Sequence, residues 1–129
     1  MENQDLTGKI IGCAMKVHSA LGAGFLESVY QNALAHELLK SGLKVEVGRK
    51  ISVLYDAVFV GHFEADMLIE DCVIIENKAV QAISTIHEVQ LVNYLTATGI
   101  EIGLLLNFGA ANLEFKRKHR TYKKKDSTE

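Results

Sequence analysis

Residues 63–78 run Phe63-Glu64-Ala65-Asp66-Met67-Leu68-Ile69-Glu70-Asp71-Cys72-Val73-Ile74-Ile75-Glu76-Asn77-Lys78, and their reading decides the fold. Side chains on a strand alternate between faces. Phe63, Ala65, Met67 and Ile69 are therefore expected on one face of a first strand, and Val73, Ile75, Asn77 and Ala79 on one face of a second. These positions are nearly all apolar and should pack against a helix layer. The even-numbered set is Glu64, Asp66, Leu68, Cys72, Ile74, Glu76 and Lys78. It is apolar near a tip at Glu70-Asp71 and charged at the far end. For both even sets to share a face, facing residues must sum to an even number, which calls for an odd-length loop near 70–72 or a bulge. That register sets Asp66 opposite Glu76, with Lys78 two residues on.

Carboxylates that face one another in a half-buried place are costly unless a cation neutralises them. A hard divalent ion is a natural solution, since Mg²⁺ commonly takes one or two carboxylates plus waters and phosphate oxygens. Lys78 could then orient or help deprotonate a water, or stabilise charge building on a phosphate. A simpler reading treats the same residues as a solvated hairpin end held by ion pairs. The Glu-x-Lys spacing does not by itself choose between the two.

Outward from the hairpin, the periodicity changes. Leu6, Ile10, Ile11, Ala14, Val17 and Leu21 predict an amphipathic helix over 5–21. Gly22-Ala23-Gly24 interrupts it, and a second helix is expected from Phe25 to Lys40, stopped by Ser41-Gly42. Val45 and Val47, then Ile51, Val53 and Tyr55, alternate with polar residues and read as strand, with a turn at Tyr55-Asp56-Ala57. Residues 59–79 form the long hairpin. Helical spacing returns over 85–98, and Ile102–Phe108 is an apolar run typical of a strand covered on both faces. Leu113 and Phe115 begin a last edge strand before a charged tail. The expected order is ααβββαβ with an optional final β, a mixed α/β sheet flanked by helices.

A chain of 129 residues has room for one domain, here 1–115, followed by a basic tail over 116–129. With 48% hydrophobic and 23% charged residues, disordered and fibrous classes are excluded. Cys13 and Cys72 form no CxxC pair, which argues against a disulfide framework or thiolate zinc site and for small buried residues. No apolar stretch approaches the ~18 residues needed to span a membrane, and the N-terminus lacks a signal-peptide pattern. A cytoplasmic protein is expected.

Two more motifs frame the hairpin. Gly24-Phe-Leu-Glu27-Ser-Val-Tyr30 has the form GxxExxY at the start of the second helix, and Gln90-Leu-Val-Asn-Tyr94 has the form QxxxY on the helix after the hairpin. With Asp66 and Glu76-Asn-Lys78 between them, the set resembles the GxxExxY family of the PD-(D/E)XK nuclease superfamily over nearly the whole chain. The resemblance implies a restriction-endonuclease-like αβββαβ core with an extra N-terminal helix. It implies a metal-dependent phosphodiesterase in which Asp66 and Glu76 ligate Mg²⁺ or Mn²⁺, Lys78 is the catalytic lysine and Glu27 a further metal ligand. Gln90 and Tyr94 resemble the helix pair lining such sites. Ala65 stands where the superfamily's name has proline. Tyr30 reads as core and not as catalytic. His18, His36 and His62 have no ligand spacing, and His87 has either a hydrogen-bonding or a site role.

The net charge of −2 hides an asymmetry: residues 1–115 carry 7 basic and 14 acidic side chains, residues 116–129 carry 7 and 2. Lys116, Arg117, Lys118, Arg120, Lys123, Lys124 and Lys125 form a run suited to phosphate contact. The resulting expectation is a nuclease with DNA placed ahead of RNA as substrate and no membrane partner. The small size points to a symmetric dimer. The alternative is an inactive nucleic-acid-binding or protein-interaction module, or an accessory subunit, on the same fold.

Overall fold

The computed structural model describes residues 3–121. Helices α1 (Asn3–Leu21) and α2 (Glu27–Lys40) precede strands β1 (Val45–Tyr55), β2 (Val58–Ile69) and β3 (Val73–Lys78). Helix α3 (Thr85–Thr98) then leads to β4 (Ile102–Asn107) and β5 (Glu114–His119). The strands form one sheet in the order β1-β2-β3-β4-β5. β3 and β4 pair in parallel and all other neighbours antiparallel. α3 is thus the crossover that a parallel pair requires. This is the expected mixed sheet flanked by helices, with the final β present. No described helix is long and apolar enough to cross a membrane.

Each face of the sheet has its own core. Leu6, Ile10, Ala14, Tyr30, Leu34 and Leu38 of α1 and α2 bury against Met67, Ile69, Val73, Ile75, Leu104 and Leu106. Leu91 and Leu95 of α3 bury against Ala65, Leu68, Ile74 and Leu105 on the other face. β4 is buried along its whole length, as its continuous apolar run predicts. At Gly103 a Cβ would come within 2.8 Å of the Leu91 side chain, so the glycine lets α3 lie close on the sheet.

Three local expectations need correction. First, Phe63 and Ala65 do not share a face with Met67 and Ile69. Ala65 lies in the α3 core beside Leu68, and Phe63 stacks on Tyr94 of α3, whereas Met67 and Ile69 face α1 and α2. β1 switches faces in step, since Val45 packs on the α1–α2 side and Ile51 on the α3 side. The register is the same on both sides of the break, with Val47↔Met67 before and Arg49↔Ala65 after, and the skipped rung is Gly48 against Asp66. Gly48 takes a left-handed φ of 69°, which glycine adopts without penalty. Strict alternation fails because both strands are irregular at that rung.

Second, β5 continues to His119, so Lys116, Arg117 and Lys118 belong to an edge strand and not to a tail. They pair with the buried β4 backbone, and alternation separates their side chains. Arg117 donates to Thr7 Oγ1 of α1, and Lys118 reaches Glu88 of α3. Third, Cys13 and Cys72 are free but only half-buried. The Asp56-Ala57 turn forms as expected, with both residues at positive φ (52° and 62°) despite the lack of glycine.

Candidate active site

The β2–β3 register is the one the parity argument requires: Ile69↔Val73, Leu68↔Ile74 and Met67↔Ile75, joined by the three-residue loop 70–72. One rung further the backbone ladder stops and two carboxylates replace it. Glu76 Oε2 accepts the Asp66 N–H at 3.0 Å, and Asp66 Oδ2 accepts the Asn77 N–H at 2.8 Å. β3 keeps its pairing with β4 as far as Lys78↔Asn107, so β2 turns away together with its partner β1. The sheet forks there, and the two acids project into the fork while satisfying the amides that the fork leaves open.

Burial and like charge shape the electrostatics. Glu76 is only 6% exposed. Its carboxyl is pushed up to about 7, first by burial and then by Asp66. The Asp66 carboxyl is also raised by burial, partly offset by the Asn77 amide and Lys78. Glu27, the first residue of α2, is raised by burial and then by Asp66, with Lys78 opposing. Burial and the two strand carboxylates likewise raise the Tyr94 phenol. Three carboxyls thus share one ammonium, and the fork is short of positive charge.

The expected residues assemble from four elements: Glu27 from α2, Asp66 from β2, Glu76 and Lys78 from β3, and Tyr94 from α3. Tyr94 is held by the Phe63 ring, stacked at 3.8 Å between centroids and 7° between planes. Gln90 is exposed one turn before it. Tyr30 is core, fully buried and stacked on Phe108 at 4.8 Å. Its hydroxyl also donates to the Gly22 carbonyl and accepts the Phe25 N–H, tying down the loop that delivers Glu27. The GxxExxY motif therefore has a physical reason: a tyrosine clamp, a glycine at φ 114° and an acid at the helix entry. His87 has the hydrogen-bonding role, its Nδ1 accepting the Ser84 N–H as a helix cap.

Supporting residues escaped the sequence reading. Asn107, fully buried, accepts the Val80 and Gly109 N–H groups and donates to Glu114 Oε1, which also accepts the Ile83 N–H. This network fixes the segment between Lys78 and α3. Gly109 packs on it so closely that a Cβ would lie 2.4 Å from the Val80 carbonyl oxygen. Asn77 is buried on the α2 side and donates to Gln31 Oε1 and Met67 Sδ. A polar residue inside an otherwise apolar strand face is the signal that could have exposed it.

No group of three or more His, Cys, Asp or Glu side chains among the described residues is arranged to hold a metal ion. The Asp66–Glu76 pair nevertheless fits a hard divalent cation. It offers only oxygen donors, the one ammonium of Lys78 offsets its charge only in part, and Mg²⁺ completes its shell with water. Of the basic run, Lys118 and Arg120 already meet Glu88 and Glu101, at 3.0 and 3.2 Å. Lys123, Lys124 and Lys125 lie outside the described residues.

Residues 4–118 match a family model described as the PD-(D/E)XK nuclease superfamily. No curated protein matches the sequence significantly. Among solved structures, the crystal structure of SSO0001 is similar, with a TM-score of 0.59 and 16% identity. The match covers 74% of this chain and 50% of SSO0001, so the chain spans about half the length of that protein. At that identity the likeness is one of fold.

Proposed function

Because the chain belongs to the PD-(D/E)XK nuclease superfamily, we propose that it is a divalent-metal-dependent nuclease of the GxxExxY type, cytoplasmic, with DNA as its substrate. The observation that carries this reading is the carboxylate pair at the sheet fork, Asp66 and Glu76, with Lys78 beside it. Mg²⁺ or Mn²⁺ held by Asp66 and Glu76, with Glu27 as a further ligand, would supply neutralisation, polarise the scissile phosphate and acidify a water. Lys78 hydrogen-bonds the attacking water and orients it for in-line displacement of the phosphodiester. Asp66 and Glu76 hold their positions through the amides they accept, so the donor set needs little rearrangement. Tyr94 and Gln90 line the α3 side and contact the substrate. Lys123, Lys124 and Lys125, together with Lys116 and Arg117, add phosphate contacts that carry affinity without sequence information. A small body grips a duplex poorly, so a symmetric dimer belongs to the same reading.

The test is cleavage of single-stranded, duplex and branched DNA, and of RNA, with Mg²⁺ or Mn²⁺. Wild type is compared with Asp66→Ala and Lys78→Ala. Metal-dependent cleavage that falls by roughly a thousandfold or more in both variants is expected. Equal activity in all three proteins would overturn the assignment. A folded wild type that binds nucleic acid but cleaves none of the substrates would favour the inactive module.

A further inference from the structure

From the Gly48/Asp66 rung outward, β2 pairs only with β1 among the described strands, so the two continue as a ribbon. Phe63 and Ile51 rest on the α3 side, and Ser52, Val53 and Leu54 border a cavity shared with Asn93, Thr96 and Ala97 of α3 and with Arg120 and Thr121; beyond that, the described residues leave its end largely exposed. Leu54 is 64% exposed, Tyr55 75%, Val58 59%, Phe59 59% and Val60 58%. The facing pairs Leu54↔Phe59 and Tyr55↔Val58 are successive rungs, so both faces of the tip are apolar.

Such a tip is anomalous on an isolated chain. Five large side chains there, at ~150–250 Å² for each fully exposed aromatic and less for the others, present on the order of 500 Å² of apolar surface, near the top of what a monomer shows. A two-stranded ribbon without a covered face is also marginal in water. β1 is the outer strand of the described sheet, so its outward backbone groups have no neighbouring strand among the described residues. From Ile51 to Tyr55 it carries neither charge nor proline, the usual blocks to edge pairing. Nucleic acid is a poor occupant, because the only charged residue between Ile51 and Gly61 is the acid Asp56, and Arg120, which borders the cavity beside Leu54, already meets Glu101. A two-faced apolar tip is complementary to itself, as a twofold contact demands.

We propose that the β1–β2 tip, residues 54–60, is the contact surface of a symmetric homodimer, a second copy covering the tip with its own. This gives the dimer reading above a location and does not depend on the nuclease reading. Two tips together bury about 1,000 Å², the threshold of a specific interface, and pairing of the two β1 edges adds backbone hydrogen bonds. Phe59 stands seven residues from Asp66, about 23 Å along an extended strand. Changes at the tip therefore leave the carboxylate fork intact.

Sedimentation equilibrium of the full chain across micromolar concentrations tests this, with a Tyr55→Ser/Phe59→Ser variant and a Leu54→Lys variant alongside. Wild type is expected at twice the 14.2 kDa chain mass. The double variant is expected to dissociate at least roughly a hundredfold more readily, with unchanged helix signal and unchanged Mn²⁺ binding by calorimetry. A wild type that stays monomeric overturns the proposal whatever the variants do. A wild-type dimer that both variants leave unaltered also overturns it, and so does a monomer whose tip variants lose binding to a single-stranded oligonucleotide. Asp66→Ala removes cleavage without changing the mass, so failure of the nuclease reading and failure of this one are separately visible.

Discussion

At the residue scale, Glu76 is where function and stability oppose one another. Its carboxyl sits near 7 in the fold against an ordinary 4.5, with burial the largest cause. Between those values the metal-free folded state keeps a proton that the unfolded chain releases. Stability therefore falls as pH rises from about 4.5 to about 7 and levels off above, by about 3 kcal/mol in all. Asp66 and Glu27 are raised as well and act with the same sign. Glu76→Gln keeps an acceptor for the Asp66 N–H but removes the charge. At pH 8 without metal it is expected to be more stable than wild type by about 3 kcal/mol, with little difference near pH 4.5, and to be inactive. Urea melts at the two pH values check this, and equal stability at pH 8 would show that the charge is not the cost. Saturating Mg²⁺ should flatten the wild-type pH profile. The residues themselves were legible in the sequence, because the parity of the hairpin pairs Asp66 with Glu76. The size of the conflict was not, because it depends on how deeply Glu76 is buried.

At the element scale, the site depends on two joints. The α1–α2 joint is closed by the Tyr30 hydroxyl on Gly22 and Phe25. Tyr30→Phe removes both bonds inside the core and is expected to cost about 1–2 kcal/mol. Cleavage should drop with it, since Glu27 loses a fixed entry, and a thermal melt beside a rate measurement checks the pair of effects. At the second joint, Gly109 lies against the backbone of Val80, which cannot move aside as a side chain can. Gly109→Ala is expected to cost about 3 kcal/mol or more by overpacking. Gly48→Ala meets only the end of the Glu64 side chain and costs chiefly its left-handed backbone, about 1–2 kcal/mol. Denaturant midpoints rank the two. Periodicity located every element. It missed the shared face switch at Gly48 and Asp66, although a glycine inside a strand pattern is the ordinary mark of a bulge. Alternation is a rule of regular pairing, and the site lies where pairing is interrupted.

At the scale of the whole molecule, charge is sorted by fold. Arg117 and Lys118 are drawn to opposite faces of the edge strand, and Lys118 and Arg120 meet carboxylates. Under the proposed function, phosphate contact then falls largely to Lys123, Lys124 and Lys125, which lie outside the described residues. Removing residues 122–129 is expected to reduce the slope of log affinity against log salt by about 2 to 3, with metal-dependent cleavage retained at low salt. Oligonucleotide binding over a salt series measures it, and an unchanged slope would place the phosphate contacts elsewhere. The sequence by itself determined the order of elements, the register of the β2–β3 hairpin and the identity of its paired acids. All three follow from local spacing and from the rule that one buried face tolerates one register. Tertiary structure alone decided that the sheet forks at those acids, that Glu27 and Tyr94 converge on them, and that the ribbon beyond ends in a tip whose apolar side chains the described residues leave exposed. Each of these depends on which distant segments cover a strand, and spacing along a chain carries no record of that.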